Sequence, residues 1–261
     1  MVDELNTWQA ERNAELISDQ SWLGLVGLFW LQAGKNLVGC SERSVVRLPE
    51  GSGNLGEIIW QADVLLWRPV DGNEIALLTD ALGAPTTIDH GNVSFFVVDR
   101  EGQLAVRVRD RNWRAGKTVP PLSYFEPDPD WCLSADWIPV SPPLLMDVPN
   151  VTGDLKTVEV GYKAVFSVDG QVVELLPMLV GENEVFFVFR DRTSGKETYG
   201  AGRFLKANAN PTVHGTISLN FNFAYNPPCA FTAFATCPLP PPENWLPFPV
   251  LAGEKKWQGA N

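Results

Sequence analysis

The side chains able to do chemistry crowd into the last third of the chain. Between positions 190 and 254 stand Arg190, Asp191, Tyr199, Arg203, Asn222, Tyr225, Asn226, Cys229, Glu243, Asn244 and Glu254. An arginine fork is suited to clamping a carboxylate or phosphate through paired hydrogen bonds. Arg203 lies in Tyr199-Gly200-Ala201-Gly202-Arg203-Phe204-Leu205, where two glycines strip side chains from one face. Another backbone segment or a ligand must approach there. Arg190, Tyr199, Arg203, Asn222, Tyr225, Asn226, Asn244 and Glu254 therefore read as the binding residues for a small polar or anionic molecule. The competing reading has the arginines paired with the chain's own acids, tying the tail to the sheets, since buried charge is normally paired.

Cys229 and Glu243 are the candidate catalytic residues of a hydrolase- or transferase-type enzyme. A thiolate nucleophile needs a positive neighbour or a base. The two histidines, His90 and His214, are not near Cys229 in sequence. Carboxylates for acid–base work are available at Asp191, Glu197, Glu243 and Glu254. Cys229 and Cys237 are spaced unlike a zinc site and lack a nearby histidine, so no metal is expected. No phosphate loop, dinucleotide fingerprint, HExxH or Gly-x-Ser-x-Gly occurs, and no motif names a cofactor.

These residues need a scaffold. Residues 3–18 carry Leu5, Trp8, Leu16 and Ile17 at helical spacing, although Arg12 and Asn13 interrupt the stripe. Gly34-Lys35-Asn36 is a turn signal. Short β-like runs follow at 44–48, 57–61, 64–68, 74–78, 93–99 and 103–109, each bounded by Gly, Pro, Asn or Asp. Asp99-Arg100-Glu101-Gly102 is expected as a four-residue hairpin loop. Alternation of charge in Arg107-Val108-Arg109-Asp110 predicts one basic, solvated or ion-paired face. Residues 110–150 break the rhythm with eight prolines among Tyr124, Phe125, Trp131 and Trp137. Aromatics in such a stretch predict a packed crossover, because a free linker is small and polar. Strands resume at 156–160, 162–168, 171–176, 184–190, 198–205 and 216–221. Asp169-Gly170 is the strongest hairpin signal, and Asp191–Lys196 reads as a longer hairpin loop. The tail from Asn220 to Asn244 is too rich in proline for helix or central strand and reads as a rigid wrap.

The expected fold is mainly β: an N-terminal helix and two packed antiparallel β subregions, sandwich- or barrel-like, joined by a proline-rich crossover. The boundaries are 1–110, 111–150 and 151–261. With 261 residues, 45% hydrophobic and 20% charged, the composition is globular. A net charge of −11 argues against nucleic acid as a partner. No run is long and apolar enough to span a bilayer, the start lacks the pattern of a secretory signal, and four cysteines make no disulfide scaffold. A soluble cytoplasmic protein with no membrane partner is expected.

Several stretches resemble one family. They are Trp22–Asn36, Arg190-Asp-x-Thr-Ser-Gly-Lys-x-Thr-Tyr-Gly-Ala-Gly-Arg203-Phe-Leu, Ala224-Tyr-Asn-Pro-Pro-Cys229-Ala-Phe, Ala235-Thr-Cys-Pro-Leu-Pro-Pro-Pro-Glu243-Asn and Ala252-Gly-Glu-Lys255. Together they are similar to the bacterial and archaeal "domain of unknown function 1684" family. The resemblance implies no activity. It does imply an acid and a base around the Phe-Asn before Ala-Tyr-Asn, where this chain has Asn220-Phe221-Asn222-Phe223. Three readings stand open: a small-ligand site between the C-terminal sheet and the tail, an enzyme, and motifs that only lock the fold.

Overall fold

The computed structural model describes residues 2–153, 155–208 and 214–259. The chain divides into two compact units, one of residues 17–118 and one of residues 1–16 with 119–261. Both are built from mainly antiparallel sheets, and no sheet of the described residues closes into a barrel.

The first unit contains β1 (Leu25–Trp30), β2 (Gly34–Gly39), β3 (Val46–Arg47), β4 (Gly56–Gln61), β5 (Val64–Pro69), β6 (Ile75–Ala76), β7 (Thr87–His90), β8 (Val93–Arg100) and β9 (Gln103–Asp110). They form a four-stranded sheet ordered β1-β9-β8-β7 and a five-stranded sheet ordered β3-β2-β4-β5-β6, in which β2 and β3 pair in parallel. Val38, Ile58 and Trp67 of one sheet share a core with Val93, Phe95, Val97, Val106 and Val108 of the other. Alternation along each strand drives this, because every second side chain faces the partner sheet.

Three local readings need correction here. Gly34-Lys35-Asn36 opens β2. Just before it, the Asn36 side chain accepts from Gln32 N–H at 2.9 Å and donates to Gln32 C=O at 2.8 Å. The 99–102 loop is a two-residue turn, with Glu101 and Gly102 both at positive φ (55° and 82°) and Arg100 paired to Gln103. The basic face of β9 is buried rather than solvated. Arg107 (4% exposed) lies 4.9 Å over the Trp22 ring, and Arg109 (7% exposed) donates to the Ser21 carbonyl. The segment before β1 covers that face, and burial lowers the Arg109 pKa.

The second unit contains helix α1 (Val2–Leu16), β10 (Cys132–Pro149), β11 (Leu155–Val168), β12 (Gln171–Leu175), β13 (Leu179–Val180), β14 (Glu184–Phe189), β15 (Arg203–Asn208) and β16 (Gly215–Asn220). The sheets are β12-β11-β10-β16 and β13-β14-β15. Trp137, Phe166, Phe187, Phe189, Leu205, Ile217, Leu219 and Phe221 fill the core, joined by Leu246, Val250 and Ala252 from the tail. Asp169 and Gly170, at φ 48° and 77°, make the expected tight turn.

Half of the proline-rich stretch is strand. β10 carries its prolines through a large bulge: Pro139 pairs with Tyr162 and Leu144 with Val160, so residues 140–143 oppose Gly161 alone. Proline cannot donate to a ladder, and Pro142 and Pro143 sit where the ladder is interrupted. Thr198–Gly202, read as strand, is a turn, and β15 begins at Arg203.

Candidate functional site

The tail and the 190–203 connection do fold together, but they bring the predicted residues into separate groups. The largest is a buried lattice. Arg203 is 0% exposed. Its guanidinium pairs with Asp191 Oδ2 at 3.0 Å and donates to the carbonyls of Val250 (2.9 Å), Ala252 and Glu254 (3.4 Å), with its face over the Phe189 ring. Asp191 Oδ1 accepts from Thr193 N–H at 2.7 Å, the Thr193 hydroxyl at 2.6 Å and Val250 N–H at 3.3 Å. Burial lowers the Arg203 pKa, and Asp191 offsets part of that. The gap left by the glycines is closed by backbone. Gly202 has φ +98°, and a Cβ there would collide with the Phe189 carbonyl oxygen.

Glu254, also 0% exposed, extends the lattice. Its carboxylate accepts from Asn226 N–H at 2.8 Å and from Arg12 Nε at 2.8 Å. Asn226 Nδ2 donates to Lys255 C=O, and the Arg12 guanidinium stacks 5.0 Å over the Tyr225 ring. Burial raises the Tyr225 pKa. Arg12 was visible in sequence only as the break in an apolar stripe. That break is the signal, because a charge on a buried face needs a buried partner.

Two asparagines act as pegs. Asn244 Oδ1 accepts from Leu176 N–H at 2.8 Å, and its Nδ2 donates to Leu176 C=O (2.8 Å) and Val188 C=O (2.9 Å). Asn222 exchanges bonds with Asp128 N–H (3.0 Å) and C=O (2.8 Å). At the positions where the family resemblance implies an acid and a base, Asn220 accepts from Asn222 Nδ2 at 3.0 Å and Phe223 packs edge-on to Trp8, centroids 5.2 Å apart.

A third group joins Tyr199, Cys229 and Cys237. Tyr199 donates to Cys229 C=O at 2.8 Å, and Cys229 N–H donates to Cys237 Sγ at 3.2 Å. Cys237 and Tyr199 bear on the Cys229 thiol, with Cys237 the stronger.

Glu243 and Arg190 stand at a surface. A groove of about 580 Å³ is walled by Pro142, Pro143, Leu144 and Leu145 of the β10 bulge, Leu176, Trp245 and Leu246, with Glu243 and the Lys163–Glu174 pair (2.5 Å) as its charges. On the other side of Trp245 and Leu246 a cleft of about 400 Å³ is lined by Arg190, Asp191, Arg192 and Pro247. Trp245, 52% exposed, is the wall common to both. The Arg190 guanidinium lies 4.9 Å over its ring and has no carboxylate partner among the described residues. The indole Nε1 donates to Pro240 C=O at 3.1 Å. Trp245 and the bulge were not singled out in sequence; an aromatic directly after Glu243-Asn244 was the available clue.

Among the described residues no group of three or more His, Cys, Asp or Glu side chains is placed to hold a metal ion, and no helix is long and apolar enough to cross a membrane. His214 is exposed.

The protein is thus a two-unit, mainly antiparallel β protein whose C-terminal motifs form a buried charged lattice and whose tail lines an open groove. It belongs to the protein family of unknown function DUF1684, whose model matches residues 117–255. Among solved structures it is similar to an uncharacterised protein of Haloarcula marismortui determined by solution NMR, at 32% identity over 52% of this chain and 76% of that one, with a TM-score of 0.42. No curated protein matches the chain.

Proposed function

We propose that the protein binds a small organic anion with an apolar body, seated across Trp245 between the C-terminal sheet and the tail. The body lies in the 580 Å³ groove against Leu144, Leu145 and Trp245, a volume suited to a small ligand. The anionic group meets Arg190 and Arg192 in the adjoining cleft. The observation that carries this reading is the Arg190 guanidinium, without a carboxylate partner and stacked on a half-exposed tryptophan. Stacking holds the fork flat and leaves its edge donors to face a planar carboxylate. Arg203, by contrast, has its donors directed at Asp191 and the tail carbonyls, so it acts as a support.

The test is thermal stabilisation by a series of alkyl and aryl carboxylates, with the matching amines as controls. The carboxylates should raise Tm and the amines should not. Arg190→Ala should weaken binding by at least about tenfold, equivalent to about 1.4 kcal/mol, without lowering the unliganded Tm. Equal shifts with carboxylates and amines, or an unchanged affinity in Arg190→Ala, would overturn the assignment. A second reading, in which the C-terminal motifs only lock the fold, draws on the pairing of Arg203 with Asp191 and of Arg12 with Glu254, both met within the chain. It expects no carboxylate to shift Tm at all.

A further inference from the structure

Cys229 and Cys237 play no part in the groove, yet their setting is more specific than burial of two small apolar side chains requires. Each backbone is held. Cys229 is the middle residue of the turn Pro228–Ala230, behind Pro227 and Pro228, and its carbonyl takes the Tyr199 hydroxyl at 2.8 Å. The Cys237 carbonyl accepts Val151 N–H at 3.0 Å, beside the bridge between Asn150 and Pro238. Across the eight-residue separation, Cys229 N–H reaches Cys237 Sγ at 3.2 Å, and the Cys237 side chain also bears on the Cys229 thiol. Their exposure is asymmetric: Cys237 is buried at 5%, while Cys229 is half-buried. That is the arrangement of an attacking thiol with a sheltered partner behind it.

We infer that Cys229 is a peroxide-reactive thiol and Cys237 its resolving partner, so that the tail carries a reversible disulfide site. In the first step the Cys229 thiolate attacks one oxygen of a hydroperoxide. The S–O bond forms, the O–O bond breaks, and hydroxide or alkoxide leaves, giving Cys229 sulfenic acid. In the second, the Cys237 sulfur attacks the Cys229 sulfur. The S–S bond forms, the S–O bond breaks, and the Cys237 proton leaves with the hydroxyl as water. Sulfur is oxidised and peroxide reduced in equal measure, and an external dithiol restores both thiols by exchange. The hydrogen bond from Cys237 lowers the Cys229 pKa against the effect of burial, and Tyr199 adds to it, which enlarges the thiolate fraction. Tyr199 is a positioning residue here. Its own hydroxyl is pushed up by burial first and by the thiols second, so it stays protonated and donating.

The protein supplies its own reference thiols, since Cys132 is exposed and Cys40 half-buried. Exposure alone would put Cys132 first. The experiment treats the reduced full chain with limiting hydrogen peroxide, quenches with an alkylating reagent and maps the peptides by mass. The expected product is a Cys229–Cys237 cross-link, lighter by two hydrogens, formed at least about tenfold faster than oxidation of Cys132. Cys237→Ser should instead leave a dimedone-trappable sulfenic acid on Cys229. Tyr199→Phe should slow cross-linking several-fold while the exposed Cys132 reacts as before. Oxidation of Cys132 or Cys40 as fast as Cys229, or a protein that reaches sulfinic acid on Cys229 with no cross-link, overturns the proposal. Should Cys237→Ser fail to fold, the order of oxidation in the unaltered protein decides.

Discussion

Replacing Arg203 by alanine separates a supporting arginine from a ligand clamp. The substitution strands Asp191 Oδ2 in a fully buried position and removes the donors to the Val250 and Ala252 carbonyls. Breaking one side of a buried pair costs about 3–5 kcal/mol. Two orphaned carbonyls would add about 1–3 kcal/mol each if they stayed dry. Water entering the vacated space satisfies part of this, and a loss of about 5 kcal/mol is expected. That is comparable with the whole stability of a modest domain, about 5–15 kcal/mol. With a urea slope of about 2 kcal/mol/M, the midpoint should fall by about 2.5 M, read by circular dichroism. Combining Arg203→Met with Asp191→Asn removes both charges and should recover at least about 2 kcal/mol of the single-mutant loss, because the pair is coupled. An Arg203→Ala protein within about 1 kcal/mol of the unaltered chain would refute the lattice argument and return Arg203 to the list of ligand contacts.

Arg12→Ala leaves Glu254 buried with only the Asn226 N–H, so about 3 kcal/mol should be lost, and amide exchange in α1 should rise because its anchor to the tail is gone. Gly202→Ala meets both positive φ and the Phe189 carbonyl and should cost more than about 2 kcal/mol, whereas Gly200→Ala has room for a Cβ and should be neutral or stabilising by up to about 1 kcal/mol; thermal melts of the pair measure the contrast. Asp80 pairs with Arg100 at 2.8 Å; burial raises its pKa, but hydrogen bonds from Arg100 and the Asp99 N–H outweigh that and leave it lowered. A lowered carboxylate contributes stability above its unfolded pKa and loses it as pH falls through the folded one. Asp80→Asn should therefore cost under about 1 kcal/mol at neutral pH, screened by partial exposure, and nothing at a pH acid enough to protonate Asp80, checked by urea titrations at both.

What could be read from the sequence was what local chemistry decides. Asp169-Gly170 announces a turn because both positions must take positive φ, and the apolar runs around it pair as expected. The β10 strand was hidden because its prolines argue against a ladder. They are tolerated because four residues bulge opposite Gly161 where the ladder is interrupted, and that register is set by pairing with the partner strand. Thr198–Gly202 looked like strand from its composition, but the Asp191–Thr193–Thr198 hydrogen bonds close it into a turn. The same limit governs the site. Arg203 meets Asp191, twelve residues away, whereas Tyr199 meets Cys229 across 30 residues and the Arg12 partner of Glu254 lies 242 residues away on α1. No local pattern carries such a pairing.

The tail changes character between two adjacent residues, and that step connects the lattice to the groove. Asn244 is fully buried with three hydrogen bonds to Leu176 and Val188, while Trp245 is half exposed. An exposed indole gains by turning inward, by up to about 2–3 kcal/mol for a large apolar side chain. Here it is prevented from doing so. The Asn244 peg, the bonds from Arg190 N–H to Asn244 C=O and from Leu246 N–H to Arg190 C=O, and the Nε1 bond to Pro240 hold the backbone and ring in place. Relaxing Trp245 into the core would break buried hydrogen bonds worth at least as much as the burial it gained. The largest apolar side chain of this surface is thus kept from collapsing into the core. For the proposed ligand, the ordering cost that a flexible surface meets on binding would already have been met in folding, by the Asn244 peg and the backbone bonds around it.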